Sequence, residues 1–120
     1  TEFRPHATPT RPDQEVLDIS LCYAAYGGHE DAVDWLLARG ANINGQAAGF
    51  TRHPRADAFS GVNCATWSDD GDMIRHLASL GADLTLANPM GFDPAWLATF
   101  LDRPQAKAVF RELLHKEPAR

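Results

Sequence analysis

Residues 24–44 read AAYGGHEDAVDWLLARGANIN and contain one complete helix-turn-helix unit. Its alanines end one helix, Gly27 and Gly28 interrupt the chain, and a second helix is predicted from about Glu30 until Gly40 stops it. Glycine suits such positions because helices commonly end on a left-handed residue, a conformation that a Cβ atom disfavours. The apolar residues of the second helix have the spacing of a single buried face, and they are Ala32, Val33, Leu36 and Leu37.

This stretch resembles the ankyrin repeat, whose approximate pattern is G-x-T-P-L-H-x-A-A-x-x-G-H-x-x-x-V-x-x-L-L-x-x-G-A-x-x-N. The matching residues are Ala24, Ala25, Gly28, His29, Val33, Leu36, Leu37, Gly40, Ala41 and Asn44. The resemblance implies an all-α solenoid of stacked helix-turn-helix units that are joined by short hairpin fingers. It also implies a binding scaffold, since ankyrin modules are known mainly for binding.

Further copies of the unit are expected, because one such unit cannot bury its own apolar face. A second copy begins 41 residues later, where Cys64-Ala65-Thr66 corresponds to Tyr23-Ala24-Ala25. A third copy, marked by Ala98-Thr99, follows Ala65-Thr66 by the ankyrin period of about 33 residues. Three copies are about the minimum for a stable stack.

The first finger is longer than the ankyrin period requires, and we predict a loop insertion at residues 45–59. This segment has no helical or strand period and contains Gly45, Gly49 and Pro54. The predicted divisions of the chain are an extended or disordered N-terminal arm at 1–12, a repeat domain at 13–116 with repeats at about 13–44, 45–85 and 86–116, and a C-terminal tail at 117–120.

Composition restricts the partners. The 120 residues carry a formal net charge of −5, which argues against nucleic acid. No apolar run approaches the length of a membrane span and no signal-peptide pattern is present, so we expect a cytoplasmic protein without membrane contact. We interpret Cys22 and Cys64 as small buried residues in a reducing compartment, although sequence alone cannot supply the Cα separation that a disulfide needs.

The turns that open the first helix of each unit depart from the family pattern. Ser60 and Asp93 are predicted N-caps of the second and third copies, and Pro94 suits the first helical position. The histidine of the family pattern is replaced in every copy. The side-chain-to-backbone hydrogen bonding that it supplies is therefore expected to be missing throughout. The three replacements are Cys22, Asn63 and Trp96.

Large aromatic side chains recur at positions that the family leaves variable and uses to contact ligands. A helix position that faces solvent would more often carry a charged residue, whereas aromatic residues anchor many interfaces. We predict an aromatic strip, defined as Tyr26, Phe59, Trp67, Phe92 and Phe100 with Met90 at its rim. A basic tip on the long finger would assist by suiting a target with acidic groups, and it consists of Arg52, His53 and Arg55.

The sequence therefore predicts a non-catalytic module that binds another protein or a peptide as a monomer or a weak homodimer. The alternative is a structural or regulatory segment of a larger protein or oligomer in which the aromatic strip is covered permanently. The strip could also be covered by the long finger or by the N-terminal arm. A third alternative is a small-molecule site in a cage formed by Trp67, Tyr26 and the finger. We expect no catalytic residue, metal or cofactor, because the histidines are dispersed and no catalytic motif is present.

Overall fold

Six helices make up most of the described part of the chain. The structure is a computed structural model, and it describes residues 13–46, 59–88 and 90–114. The predicted all-α class is confirmed. The predicted N-terminal arm, most of the loop insertion with Arg52, His53 and Arg55, and the C-terminal tail lie outside the described residues. The helices are α1 (Asp13–Tyr26), α2 (Glu30–Ala38), α3 (Gly61–Trp67), α4 (Gly71–Ser79), α5 (Pro94–Phe100) and α6 (Pro104–Leu114).

Gly28 and Gly40 of the first unit adopt the left-handed backbone conformation that the sequence predicts, whereas Gly27 does not. Gly28 has a φ of 77° in the turn between α1 and α2, and Gly40 has a φ of 106° just after α2. Beyond each helix, backbone amides donate to carbonyls of its last turn: His29 N to Ala24 O at 3.0 Å and Ala41 N to Leu36 O at 3.1 Å. These bonds satisfy carbonyls that have no partner within the helix.

In the second and third units, the position equivalent to Gly28 is occupied by aspartate. Asp69 and Asp102 have φ values of 58° and 56°, and Asp is one of the few residues other than Gly that tolerates this region. The Oδ1 atom of Asp69 accepts a hydrogen bond of 2.9 Å from the backbone N–H of Ala106, in the first turn of α6. The turn of the second unit thus caps a helix of the third unit.

Replacement of Asp69 by alanine should destabilise the stack. The change puts a side chain without polar atoms into the left-handed region and removes the hydrogen bond to Ala106, for a combined loss of about 1–2 kcal/mol. Asp69→Gly loses only the hydrogen bond, and Asp69→Asn can keep both features. Urea unfolding followed by circular dichroism should therefore order the variants Asn, Gly and Ala by decreasing stability. Equal stability of Asp69→Ala and Asp69→Asn would contradict this role.

The first helix of each unit (α1, α3 and α5) is called the inner helix, and the second (α2, α4 and α6) the outer helix. The predicted N-caps of α3 and α5 are confirmed, whereas the expectation that their turns lack side-chain-to-backbone hydrogen bonds is wrong. Ser60 Oγ accepts from Asn63 N at 3.3 Å, and Asn63 Oδ1 accepts from Ser60 N at 3.1 Å, which together form a capping box. Asn63 therefore supplies a side-chain-to-backbone bond that was expected to be absent. In the third unit, Asp93 Oδ1 accepts from Trp96 N at 2.8 Å, and Pro94 begins the helix.

The core follows the stacking of the units. Helix α3 lies against α1 on one side and α5 on the other, and α4 packs against both α3 and α6. Burial of apolar side chains between successive units supplies the main stabilising contribution, as in other repeat proteins. The largest fully buried apolar side chains of the core are Leu21, Val33, Val62, Met73, Ile74 and Leu77.

A disulfide joins the first two units and corrects the interpretation of the cysteines. Cys22 of α1 and Cys64 of α3 are bonded, with a Cα separation of 5.6 Å. The prediction that both are buried is confirmed, but the prediction of reduced thiols is wrong. Cys22 lies on the side of α1 that faces α3, and Cys64 lies on the side of α3 that faces α1. The Cys22 sulfur is 3.2 Å from Ser60 O, but this contact is not a hydrogen bond because a disulfide sulfur carries no proton.

Polar side-chain contacts link the outer helices α2, α4 and α6. Arg75 of α4 donates to both carboxylate oxygens of Glu112 in α6, at 2.9 and 2.6 Å. The hydrogen bond to Glu112 raises the pKa of Arg75 above its ordinary value. His76 of α4 lies 2.8 Å from Asp34 of α2 through Nε2. These pairs are exposed in large part, so solvent screens them and they mainly align the outer helices.

Candidate functional site

An aromatic recess of about 140 Å³ lies between the second and third units. Four members of the predicted aromatic strip contribute to its wall, together with side chains that the strip did not include. None of the described residues in this wall carries a charged side chain. The wall consists of Phe59, Asn63, Trp67, Asn88, Phe92, Trp96, Leu97, Phe100 and Leu101, and we call this set the aromatic recess.

Three parallel rings form one side of the recess. The centroid of Phe92 is 3.9 Å from that of Trp96, and Trp96 is 4.9 Å from Phe100, with 9° between the ring planes in both pairs. Each residue follows the previous one by four positions, so the rings follow one face at and just before α5. All three remain exposed, Phe100 most of all. The stack therefore holds a large aromatic area in contact with solvent.

Trp96 is exposed because of its place in the repeat. The corresponding residues of the first two units, Cys22 and Asn63, are 0% and 3% exposed, whereas Trp96 is 40% exposed. This position faces the next unit, as the bond from Cys22 to α3 demonstrates. Within the described residues no inner helix follows α5. A side chain that would be buried inside a longer stack is thus part of the surface.

A second aromatic pair also lines the recess. Phe59 and Trp67, at the two ends of the segment that contains α3, have ring centroids 5.7 Å apart and tilted planes. The end of α3 is held by Arg103, whose Nε donates to Trp67 O at 2.8 Å. Trp67 is therefore fixed by the third unit at its backbone, while 39% of the residue stays exposed.

The predicted strip is assembled only in part. Phe59, Trp67, Phe92 and Phe100 meet at the recess, whereas Tyr26 and Met90 are exposed but are not part of its wall. The role of these residues in binding stays a prediction, as does that of the basic tip outside the described residues. The interpretation of the sequence omitted Trp96, which was assigned only to the turn. The spacing of four residues between the successive aromatics at 92, 96 and 100 was the signal that could have found it.

Two carboxamide side chains belong to residues that line the recess. Asn63 is almost fully buried, and its Oδ1 accepts from both Ser60 N and Ser60 Oγ. Asn88 holds the second finger, because its Oδ1 accepts from the backbone N–H groups of Met90 and Phe92, each at 3.0 Å. The recess is consequently an apolar cavity with a small number of neutral hydrogen-bonding groups in its wall.

Two other kinds of site have no support in the described residues. Across 13–46, 59–88 and 90–114, no three histidine, cysteine, aspartate or glutamate side chains come together as ligands for a metal ion. The helices of this same part of the chain are all too short or too polar to cross a membrane.

Comparison with known proteins supports the assignment of the repeat. Residues 19–47 match the sequence model described as Ankyrin repeat. The chain is 28% identical over 95 residues to the protein named Potassium channel AKT1 from Arabidopsis thaliana. The match covers 79% of this chain and 10% of that protein, so the chain spans about a tenth of the length of this relative.

The resemblance to ankyrin repeats is therefore confirmed, and the six helices agree with the all-α ankyrin-repeat fold. Ankyrin repeats are generally protein–protein interaction modules and are typically non-catalytic.

Proposed function

We propose that this chain is a non-catalytic module that binds a protein or a peptide through its aromatic strip, with Trp96 as an additional member of the contact surface. One observation carries the proposal: the stacked rings of Phe92, Trp96 and Phe100 lie exposed on the same recess as Trp67. Contiguous exposed apolar surface in a soluble domain is characteristic of interaction sites.

The composition of the recess agrees with a binding role. Tryptophan and tyrosine supply large contact area with few rotatable bonds and are enriched among the residues that contribute most to binding. Phenylalanine is enriched at the cores of interfaces. The aromatic rings here are also held in place, since each one stacks or tilts against a neighbour. Side chains that are already ordered lose less conformational entropy on binding than mobile ones.

Capture from the native cell tests the proposal. Three baits are compared: the wild-type chain, a triple variant with Tyr26→Ala, Trp67→Ala and Phe100→Ala, and a control with Trp35→Ala. Trp35 lies in the outer helix α2 and is 54% exposed, so it tests removal of an exposed tryptophan outside the strip. A partner protein retained by the wild type and by Trp35→Ala, but lost from the triple variant, is the expected result.

The single variant Trp67→Ala separates binding from stability. Because Trp67 is already partly exposed, its truncation should lower the free energy of unfolding by less than about 2 kcal/mol, below the cost typical of a buried tryptophan. Urea unfolding measures this loss, and capture with the same variant should fail. A loss well above 2 kcal/mol would place Trp67 in the core and contradict its proposed role as a contact residue.

A second candidate function follows from the comparison with the plant channel. There, the similar segment is about a tenth of a much longer protein. By analogy, this chain could be a structural or regulatory segment whose aromatic strip is covered permanently by a neighbouring part of a larger protein or oligomer. In that case the isolated chain should bind a hydrophobic dye strongly, and joining it to the neighbouring part should abolish that binding.

The remaining features of the partner are also proposals. The net charge of −5 supports a partner other than nucleic acid, and the basic tip supports a target with acidic groups. A monomer or weak homodimer without membrane contact stays our expectation.

The cytoplasmic location stays a prediction as well, and the disulfide is the feature that argues against it, because disulfides persist mainly in oxidising compartments.

A further inference from the structure

The two carboxamides of the aromatic recess each keep their nitrogen uncommitted. Asn63 Oδ1 is bonded to the Ser60 backbone N–H, and Asn88 Oδ1 to those of Met90 and Phe92. Backbone N–H groups only donate, so these contacts assign the oxygen of each amide without ambiguity. Among the hydrogen bonds of the described residues, neither Nδ2 donates to any acceptor.

The free Nδ2 of Asn63 is the more informative of the two. Asn63 is only 3% exposed, and it is one of the residues that line the recess. A buried donor without a partner costs about 1–3 kcal/mol, and most buried polar groups in folded proteins avoid this loss. An acceptor supplied from outside the chain would remove it.

The size and charge of the recess restrict what could supply that acceptor. Its volume of about 140 Å³ is close to that of cavities which hold one molecule the size of benzene. Among the described residues, the wall is aromatic and aliphatic apart from the two amides and the indole N–H groups of Trp67 and Trp96, and none of these residues is a cation that would compensate an anionic group. The group that fits is therefore a single uncharged apolar side chain with a neutral acceptor beside it.

We propose that the recess receives one apolar side chain of a partner polypeptide, of about the size of phenylalanine or leucine, and that Nδ2 of Asn63 and of Asn88 donate to backbone carbonyl oxygens beside it. This inference rests on the proposed function and specifies its partner. Each apolar residue of a polypeptide combines these features, because its side chain is within a few bonds of backbone carbonyl oxygens. The aromatic ring stack then covers the inserted side chain, and the amides fix the direction of the bound backbone.

The experiment uses N-acetyl-L-phenylalaninamide, which carries one apolar side chain between two carbonyl groups. From its number of atoms, a dissociation constant on the order of 1 mM is expected. Two-dimensional ¹H–¹⁵N spectra of the whole chain follow the side-chain NδH₂ signals of Asn63 and Asn88 and the indole N–H of Trp96. All three should shift in a saturable manner. N-acetylglycinamide, which lacks the side chain, should leave them unchanged.

Variants test the two donors. Asn63→Asp and Asn88→Asp can keep the oxygens that accept from the backbone, but each replaces the free NH₂ group with an acceptor. Each should weaken binding of the probe about tenfold. Asn42→Asp adds the same charge in the first finger, where Asn42 Oδ1 accepts from Asn44 N, and should leave binding unchanged. Asn88→Asp keeps the test valid if Asn63→Asp does not fold.

The outcomes separate this inference from the proposed function. Binding that is as strong to both aspartate variants as to the wild type would overturn the role of the amides, and absence of saturable shifts at about 20 mM probe would overturn the whole inference. Neither result concerns the capture experiment. If a partner is captured through the strip while the probe ignores the recess, only this inference fails. If the probe binds and no partner is captured, the proposed function fails.

Discussion

Removal of the Cys22–Cys64 disulfide should lower the free energy of unfolding by about 4 kcal/mol. The bond joins residues 42 apart in the chain and connects α1 to α3. In the chain-entropy description, a link of this span strongly restricts the unfolded chain, and its loss frees that chain without changing the folded contacts. For a small domain with a total stability of about 5–15 kcal/mol, the change is a large fraction of the whole.

Urea unfolding of the wild type and of the Cys22→Ala, Cys64→Ala double variant measures the loss. Reduced wild-type protein is the control, because it lacks the bond but retains both sulfur atoms, and it should approach the stability of the double variant. The account would be contradicted by cysteines that react fully with iodoacetamide after unfolding without reductant, together with an unfolding curve that reductant does not change.

Truncation of Leu77 should have a comparable effect for a different reason. Leu77 lies in α4 of the central unit and is 0% exposed, and its methyl groups lie against Gly61 of α3. Leu77→Ala removes buried apolar area and leaves a cavity in a closely packed interior, which typically costs 2–5 kcal/mol. Denaturant unfolding provides the value.

Leu80→Ala is the matched control for this change. It removes the same atoms from a residue that follows α4 and is 42% exposed, so its effect should be much smaller, within about 1 kcal/mol. Similar losses for Leu77→Ala and Leu80→Ala would show that burial between α3 and α4 does not set the stability of the stack.

Features that depend on neighbouring residues could be predicted from the sequence. The left-handed conformations at Gly28 and Gly40, the capping by Ser60, and the start of α5 at Asp93 and Pro94 each depend on local backbone geometry. The repeat pattern added the order of the helices. Residue type and spacing alone are sufficient for such features.

Features that join distant residues could not be predicted in the same way. The 5.6 Å between the Cα atoms of Cys22 and Cys64 depends on how α1 and α3 stack, and the sequence does not give that distance. The same limitation applies to Asp69, whose bond to Ala106 crosses between units. One local feature was also missed. The hydrogen bonds between Asn63 and Ser60 were not predicted, because Asn63 was compared with the histidine of the family pattern and not with the serine three residues before it.

The candidate site lies between these cases. The repeat pattern identified Trp67 and Phe100, because the two residues occupy equivalent positions in the second and third units. The repeat positions did not identify Trp96, because its counterparts in the other units are buried. They also did not show that Tyr26 and Met90 lie outside the wall of the recess. Exposure of Trp96 depends on which helices follow α5, and the pattern of one unit does not contain that information.

The most direct test of the central claim is the dissociation constant of a captured partner, measured by isothermal titration calorimetry for wild type, Trp67→Ala and Trp35→Ala. If the aromatic strip is the contact surface, Trp67→Ala should weaken binding by at least about 30-fold, the effect typical of a central aromatic anchor. Trp35→Ala should bind as the wild type does. Equal dissociation constants for Trp67→Ala and the wild type, with both proteins folded, would contradict the account.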